Sequence, residues 1–173
     1  MHRDTRDAAF TEFVHAQRAT MVRAARLLTG DHAAAEDLVQ GVLTRLYVKW
    51  PRVASADDPV AYAFRSLTNT FLDEARRAHR RREVTADPHD ALARLGGTEA
   101  EVSGLRVDLD RALAGLGERQ RAVVVLRHFL QYDVGTTARL LGCSEGTVKS
   151  QNSRALAHLR DALGAAMITE GKN

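Results

Sequence analysis

The sequence predicts an all-α protein of two small helical domains joined by a flexible linker, the second carrying a helix-turn-helix. Three observations predict it. The first is composition: 45% of the 173 residues are apolar but only 5% are aromatic, and there are three prolines. Alanine, leucine, valine and arginine dominate, which favours helix over sheet. The second is apolar residues recurring at helical spacing between clear breakers. The third is the stretch Asp133–Arg154, which reads as a helix, a sharp turn and a second helix.

The elements follow in order. From about Asp7 to Leu28, the residues Phe10, Phe13, Val14, Val22, Ala25 and Leu28 mark one face of a first helix. Gly30 stops it and Asp31 is placed to cap the next. The second helix is expected over about Ala33 to Trp50, with Val39, Val42, Leu43 and Leu46 as its apolar side and Pro51 as its stop. Asp58-Pro59 is a start signal: aspartate caps, and proline fits the first helical position, where its missing N–H is not needed. The third helix runs to about Arg82, with Phe64, Leu67, Phe71 and Ala75 inward. Three such helices make a compact bundle.

Pro88, Gly96, Gly97, Thr98 and Gly104 then sit among acidic residues. This stretch reads as a linker, with a short helix at Asp90–Leu95 as the other reading. The domains are therefore expected at 7–82 and 105–165, with the linker at 83–104. Helical pattern returns with Leu105, Val107, Leu109, Leu113 and Leu116. After a Gly115–Gly117 turn, a helix is expected over about Glu118 to Phe129, with Val123, Leu126 and Leu130 inward. The last helix runs from about Glu145 to Leu163 or a little beyond.

In the closing motif, Ala138 is the small residue where two helices cross. Gly142 supplies the positive φ that ends the first, and Val148 seats the second. That spacing is the sequence form of a DNA-binding helix-turn-helix. The second helix offers Thr147, Lys149, Ser150, Gln151, Ser153 and Arg154, side chains suited to phosphates and base edges. A second basic helix lies upstream. Asn69, Asp73, Arg76, Arg77 and Arg80 fall on one broad face, with Asp73 able to pair with Arg77. The arginines suit phosphates, which makes binding salt-dependent, and Asn69 offers both donor and acceptor to a base edge. Net charge is only +3, yet five arginines crowd residues 76–82 and acidic residues follow in the linker.

Other classes find little support. A single cysteine, Cys143, excludes an internal disulfide and any multi-cysteine metal site, and reads as a packing residue. The seven histidines are scattered, with no metal spacing, phosphate loop or nucleophile elbow. No cofactor, no metal site and no enzymatic activity are expected. The amino terminus shows no signal peptide and no stretch approaches a membrane span, so a soluble cytoplasmic protein without membrane insertion is expected.

Four motifs in order resemble the extracytoplasmic-function sigma factors, the small bacterial promoter-recognition subunits of RNA polymerase in the sigma-70 family. They are Ala35-Glu-Asp-Leu-Val-Gln40; Asn69, Asp73 and Arg76-Arg77; the block from Ala112-Leu113 through Arg119-Gln-Arg121 to Val124-Val-Leu126-Arg127; and Gly146-Thr-Val-Lys-Ser150 with Ser153-Arg154 and Leu159-Arg160. The resemblance implies core RNA polymerase as partner, through its β′ clamp helices and β flap. Glu36, Asp37, Gln40 and Leu43 would dock on the clamp helices. The third helix and the loop Ala54 to Asp58 would bind the −10 element, with Asn69 at the family's flipped-base pocket. The helix-turn-helix would read the −35 element. An anti-sigma factor is a further implied partner. Three positions depart from the family: Gly41 and Thr136, where it has acidic residues, and Gln151, where arginine is common.

Overall fold

The computed structural model describes residues 3–85 and 104–170. Eight α-helices are described: α1 (Arg3–Thr29), α2 (His32–Val48), α3 (Trp50–Ala54), α4 (Pro59–Thr85), α5 (Gly104–Ala114), α6 (Glu118–Val124), α7 (Val134–Leu141) and α8 (Glu145–Glu170). A five-residue π-helical segment, Val125–Phe129, follows α6 directly. No strand occurs among the described residues, so the protein is all-α. The chain divides into two compact units, residues 1–84 and 85–173. The expected linker lies outside the described residues from 86 to 103, as does the alternative helix at Asp90–Leu95.

In the first unit the expected caps are present. Asp31 accepts from the Ala34 N–H at 2.7 Å and Asp58 from the Ala61 N–H at 2.8 Å. Each satisfies a helix-start donor that would otherwise be orphaned. Gly30 takes φ +75° between α1 and α2. Pro51 does not stop a helix. It sits in the first turn of α3, where a missing N–H costs nothing. The break falls instead at Lys49, whose N–H bonds back to the Arg45 and Leu46 carbonyls. The core joins Met21, Ala24, Ala25 and Leu28 of α1 to Leu38, Val39, Val42, Leu43 and Leu46 of α2, and to Phe64, Leu67 and Phe71 of α4. Trp50 packs edge-on to Phe10 at 5.2 Å between ring centroids. Thr68 is fully buried but donates its hydroxyl to the Phe64 carbonyl at 2.9 Å, so α4 keeps an apolar seat there. α4 continues past its expected end at Arg82 to Thr85.

The second unit buries Ala112, Leu113 and Leu116 with Ala122 to Leu126, Ala138, Val148, Ala155 and Leu159. Leu109, expected inward, is exposed, although it shares its side of α5 with the buried Ala112 and Leu113. The helix expected over Glu118–Phe129 keeps α geometry only to Val124. The Leu130 N–H then reaches back five residues to the Val125 carbonyl at 2.9 Å. This wider turn leads to Gln131, the one non-glycine residue with positive φ (59°) among those described. Arg127 clamps the bend by donating to the Tyr132 carbonyl. Arg121 donates to the Ala114 and Leu116 carbonyls, both at 3.1 Å, closing the end of α5.

Candidate nucleic-acid interface

The helix-turn-helix forms from the residues the sequence singled out. Asp133 caps α7: its carboxylate accepts the Thr136 N–H at 2.7 Å and the Thr136 hydroxyl at 3.0 Å. These bonds, the backbone one foremost, hold the Asp133 carboxyl below the usual carboxylate range. Thr136 is thus bonded to its cap through both its backbone and its side chain. Gly142 ends α7 at φ 62°, ψ 42°, and the Cys143 N–H closes on the Ala138 carbonyl at 3.0 Å. Val123, Ala138 and Val148 form the buried junction, with Val134, Leu141 and Cys143 packed around it.

Val148, Ala155 and Leu159 turn one side of α8 inward, so Lys149, Ser150, Ser153 and Arg154 face outward and Gln151 lies half-buried at the edge. Two of the polar side chains are already engaged. The Ser144 Oγ accepts the Thr147 N–H at 3.1 Å and lies 2.9 Å from the Thr147 hydroxyl. Thr147 is thus part of the N-terminal cap of α8. Ser150 donates to the Thr147 carbonyl at 3.0 Å, leaving lone pairs but no hydroxyl hydrogen for an outside partner. Lys149 and Arg154 remain as the outward cations of this turn. Sequence reading missed Ser144, although its position three residues before Thr147 was a capping signal. It also missed Asn152, whose Oδ1 lies 2.8 Å from the His128 Nε2 and ties α8 to the π-helical segment.

On α4, Asn69 is half-buried and Asp73, Arg76, Arg77 and Arg80 are exposed, spread along one side of the helix. Asp73 pairs with Arg76 at 2.9 Å and not with Arg77. The i,i+3 pairing wins because the Arg76 Nε also donates to the Leu72 carbonyl at 3.3 Å, which folds its side chain back toward Asp73. The cluster is brought together as expected, with the carboxylate on a different arginine.

The proposed docking residues separate into two kinds. Asp37 and Gln40 are exposed and Glu36 is half-buried, paired with Arg18 of α1. Leu43 belongs to the core at 6% exposure, because it shares its side of α2 with Val39 and Leu46; it supports the helix and offers no docking surface. At Gly41 an added Cβ would meet nothing within 4 Å, so the missing side chain leaves open space beside Asp37 and Gln40. Among the described residues no cluster of three or more potential metal ligands occurs, and no helix is long and apolar enough to cross a membrane.

Sequence comparison places two families of segment on these two units. Residues 13–81 match sigma-70 region 2 and residues 106–159 match sigma-70 region 4. The RNA polymerase sigma-E factor of Streptomyces avermitilis is 38% identical over 155 residues, covering 89% of this chain and 84% of that protein. The extracytoplasmic-function (ECF) sigma factor SigL of Mycobacterium tuberculosis is 32% identical over 167 residues, 94% of each chain. Among solved structures, the sigma factor RpoE of Bartonella quintana, in complex with the anti-sigma factor NepR, superposes with a TM-score of 0.71 at 25% identity, covering 90% of this chain and 97% of that one. CnrH in complex with the cytosolic domain of CnrY shares the fold, with a TM-score of 0.63 at 23% identity over 92% of this chain and 90% of that one.

Proposed function

The chain belongs to the extracytoplasmic-function sigma factors of the sigma-70 family, and we propose a division of labour between its two units. It is a promoter-recognising subunit for transcription initiation by RNA polymerase. The domain at 7–82 binds core polymerase through Glu36, Asp37 and Gln40 against the β′ clamp helices, and contacts the −10 element through Asn69, Asp73, Arg76, Arg77 and Arg80. Asn69 receives a flipped base as the duplex opens. The domain at 105–165 reads the −35 element with Lys149, Ser150, Gln151, Ser153 and Arg154, next to the polymerase β flap. Thr147 holds the start of the reading helix. The segment at 83–104 tethers the two, so that binding one DNA site raises the effective concentration at the second.

The observation that carries this reading is the presence, in one chain, of a glycine-closed helix-turn-helix and a second helix with a half-buried asparagine beside a row of arginines. A plain helix-turn-helix regulator has no use for the second. The chain acts as a non-enzymatic subunit in the cytoplasm. An anti-sigma factor is a further partner, by analogy with the complex of the Bartonella quintana protein. Run-off transcription with core polymerase on genomic fragments tests the whole reading. Specific transcripts that require this chain are expected; failure to co-elute with core polymerase would leave only a duplex-binding regulator. Purified protein that cleaved or modified nucleic acid unaided would overturn the non-enzymatic assignment.

A further inference from the structure

Arg45 stands on α2, the helix assigned above to polymerase docking, but on its far edge. At about 100° per residue it lies about 180° around the helix from Glu36. Glu36 reaches α1 through Arg18. Arg45 reaches α4, donating from Nη2 to the Thr70 Oγ1 at 2.8 Å. Asp37, Gln40 and Thr44 occupy the exposed face between them. Thr70 spends its own hydroxyl hydrogen on the Ser66 carbonyl at 2.7 Å, so towards Arg45 it can only accept. The bond therefore holds the guanidinium at α4 without reducing its charge.

Other arginines of this unit have carboxylate partners: Arg6 with Asp7, Arg18 with Glu36 and Arg76 with Asp73. Among the described residues no carboxylate pairs with Arg45, and it is exposed. A full positive charge with free N–H donors is thus held against the residue next to Asn69. Asn69, Asp73 and Arg76 continue along α4 from that point. The fork geometry of a guanidinium suits a phosphate.

We propose that Arg45 is a phosphate-binding residue of the −10 DNA surface, held in place by Thr70, and that the DNA-facing row of α4 extends across onto α2. The proposal rests on the reading that α4 contacts promoter DNA. It assigns the two edges of α2 different partners, with polymerase on the Glu36–Gln40 side and nucleic acid on the Arg45 side.

The test uses holoenzyme reconstituted from core polymerase and the full chain, and a labelled fork-junction promoter fragment with a single-stranded −10 segment. Affinity is measured over a salt series. Arg45→Ala is expected to reduce the slope of log affinity against log salt by about 0.7, one single-strand phosphate contact. Its affinity for core polymerase should match wild type. Arg45→Lys, which keeps the charge, should restore most of the slope, an outcome that a fold defect would not give. Thr70→Val should weaken binding while keeping the slope, since the charge remains and only its placement is lost. An unchanged slope in Arg45→Ala beside a reduced slope in Arg76→Ala overturns this proposal alone. Unchanged slopes in both overturn the reading of α4 and the proposal with it. Loss of core affinity in Arg45→Ala would assign the residue to docking and overturn the proposal.

Discussion

The two basic helices, α4 and α8, present their cations in different ways. α4 presents a dense row of guanidinium groups, Arg76, Arg77 and Arg80, tempered by one carboxylate at Asp73. The first turns of α8 carry two outward cations, Lys149 and Arg154, among hydroxyls, with Arg160 further along; the hydroxyls of Thr147 and Ser150 already serve the helix itself. A dense charge row follows a backbone whatever its sequence. A sparse face must be aimed, and the aim comes from the Gly142 turn and the Val148 seat. On the proposed division of labour, the first helix suits electrostatic grip on a strand that changes shape as DNA opens. On the same proposal, the second suits fixed presentation in a groove.

The largest effect should come from breaking the aim of α8. Gly142→Val forces a β-branched residue to φ 62°, a strain of roughly 1–3 kcal/mol before any rearrangement. Binding to a −35 duplex should be lost while core polymerase binding persists, as read by gel shift and co-elution. Wild-type −35 binding would refute the assignment of this turn.

Next come the contacts themselves. Arg154→Ala should cost about 1–3 kcal/mol and relax base preference if it meets a base edge, whereas Lys149→Ala should mainly lower the salt slope if it meets a phosphate. Competition binding against a −35 library separates the two. On the other helix, Asn69→Ala should slow bubble formation more than it weakens closed-duplex binding. Permanganate reactivity reports the bubble, and a normal bubble in this variant would remove Asn69 from the opening step.

Smaller effects sharpen the comparison further. Gly41→Glu points into open space, so it should raise thermal stability by roughly 0.5–1 kcal/mol through helix propensity and tighten core polymerase binding. Unchanged affinity would show that this face of α2 does not dock. The smallest effect is on pH. The Asp133 carboxyl is held below its ordinary range by the Thr136 bonds, so its cap is complete above the unfolded carboxylate pKa. It is lost as pH falls through the lower folded value. Thermal melts of the second unit should fall more steeply with acid in wild type than in Asp133→Asn.

Much of this was legible in the sequence because it is local. Asp31 and Asp58 cap where their spacing placed them, and Gly142 takes the conformation its position demanded. The misreadings have physical causes. Pro51 signalled a stop, but proline is equally at home in a first turn, and Lys49 had already broken α2. Leu43 looked available because motif spacing does not say which way a side chain points; it lies on the buried Val39–Leu46 side of α2. The π-helical turn had no sequence signal, since wide and ordinary turns use the same residues.

What the sequence determined by itself was helix content, caps, the glycine turn and the segregation of arginine. All of these depend on neighbours within a few positions along the chain. Tertiary structure alone decided which polar groups remain free. Glu36 is spent on Arg18, and Arg45 is brought to Thr70 from a helix that the sequence assigned to another partner. A hydrogen bond between residues 25 apart in sequence depends on how two helices pack, and pairing rules confined to a single helix cannot supply that.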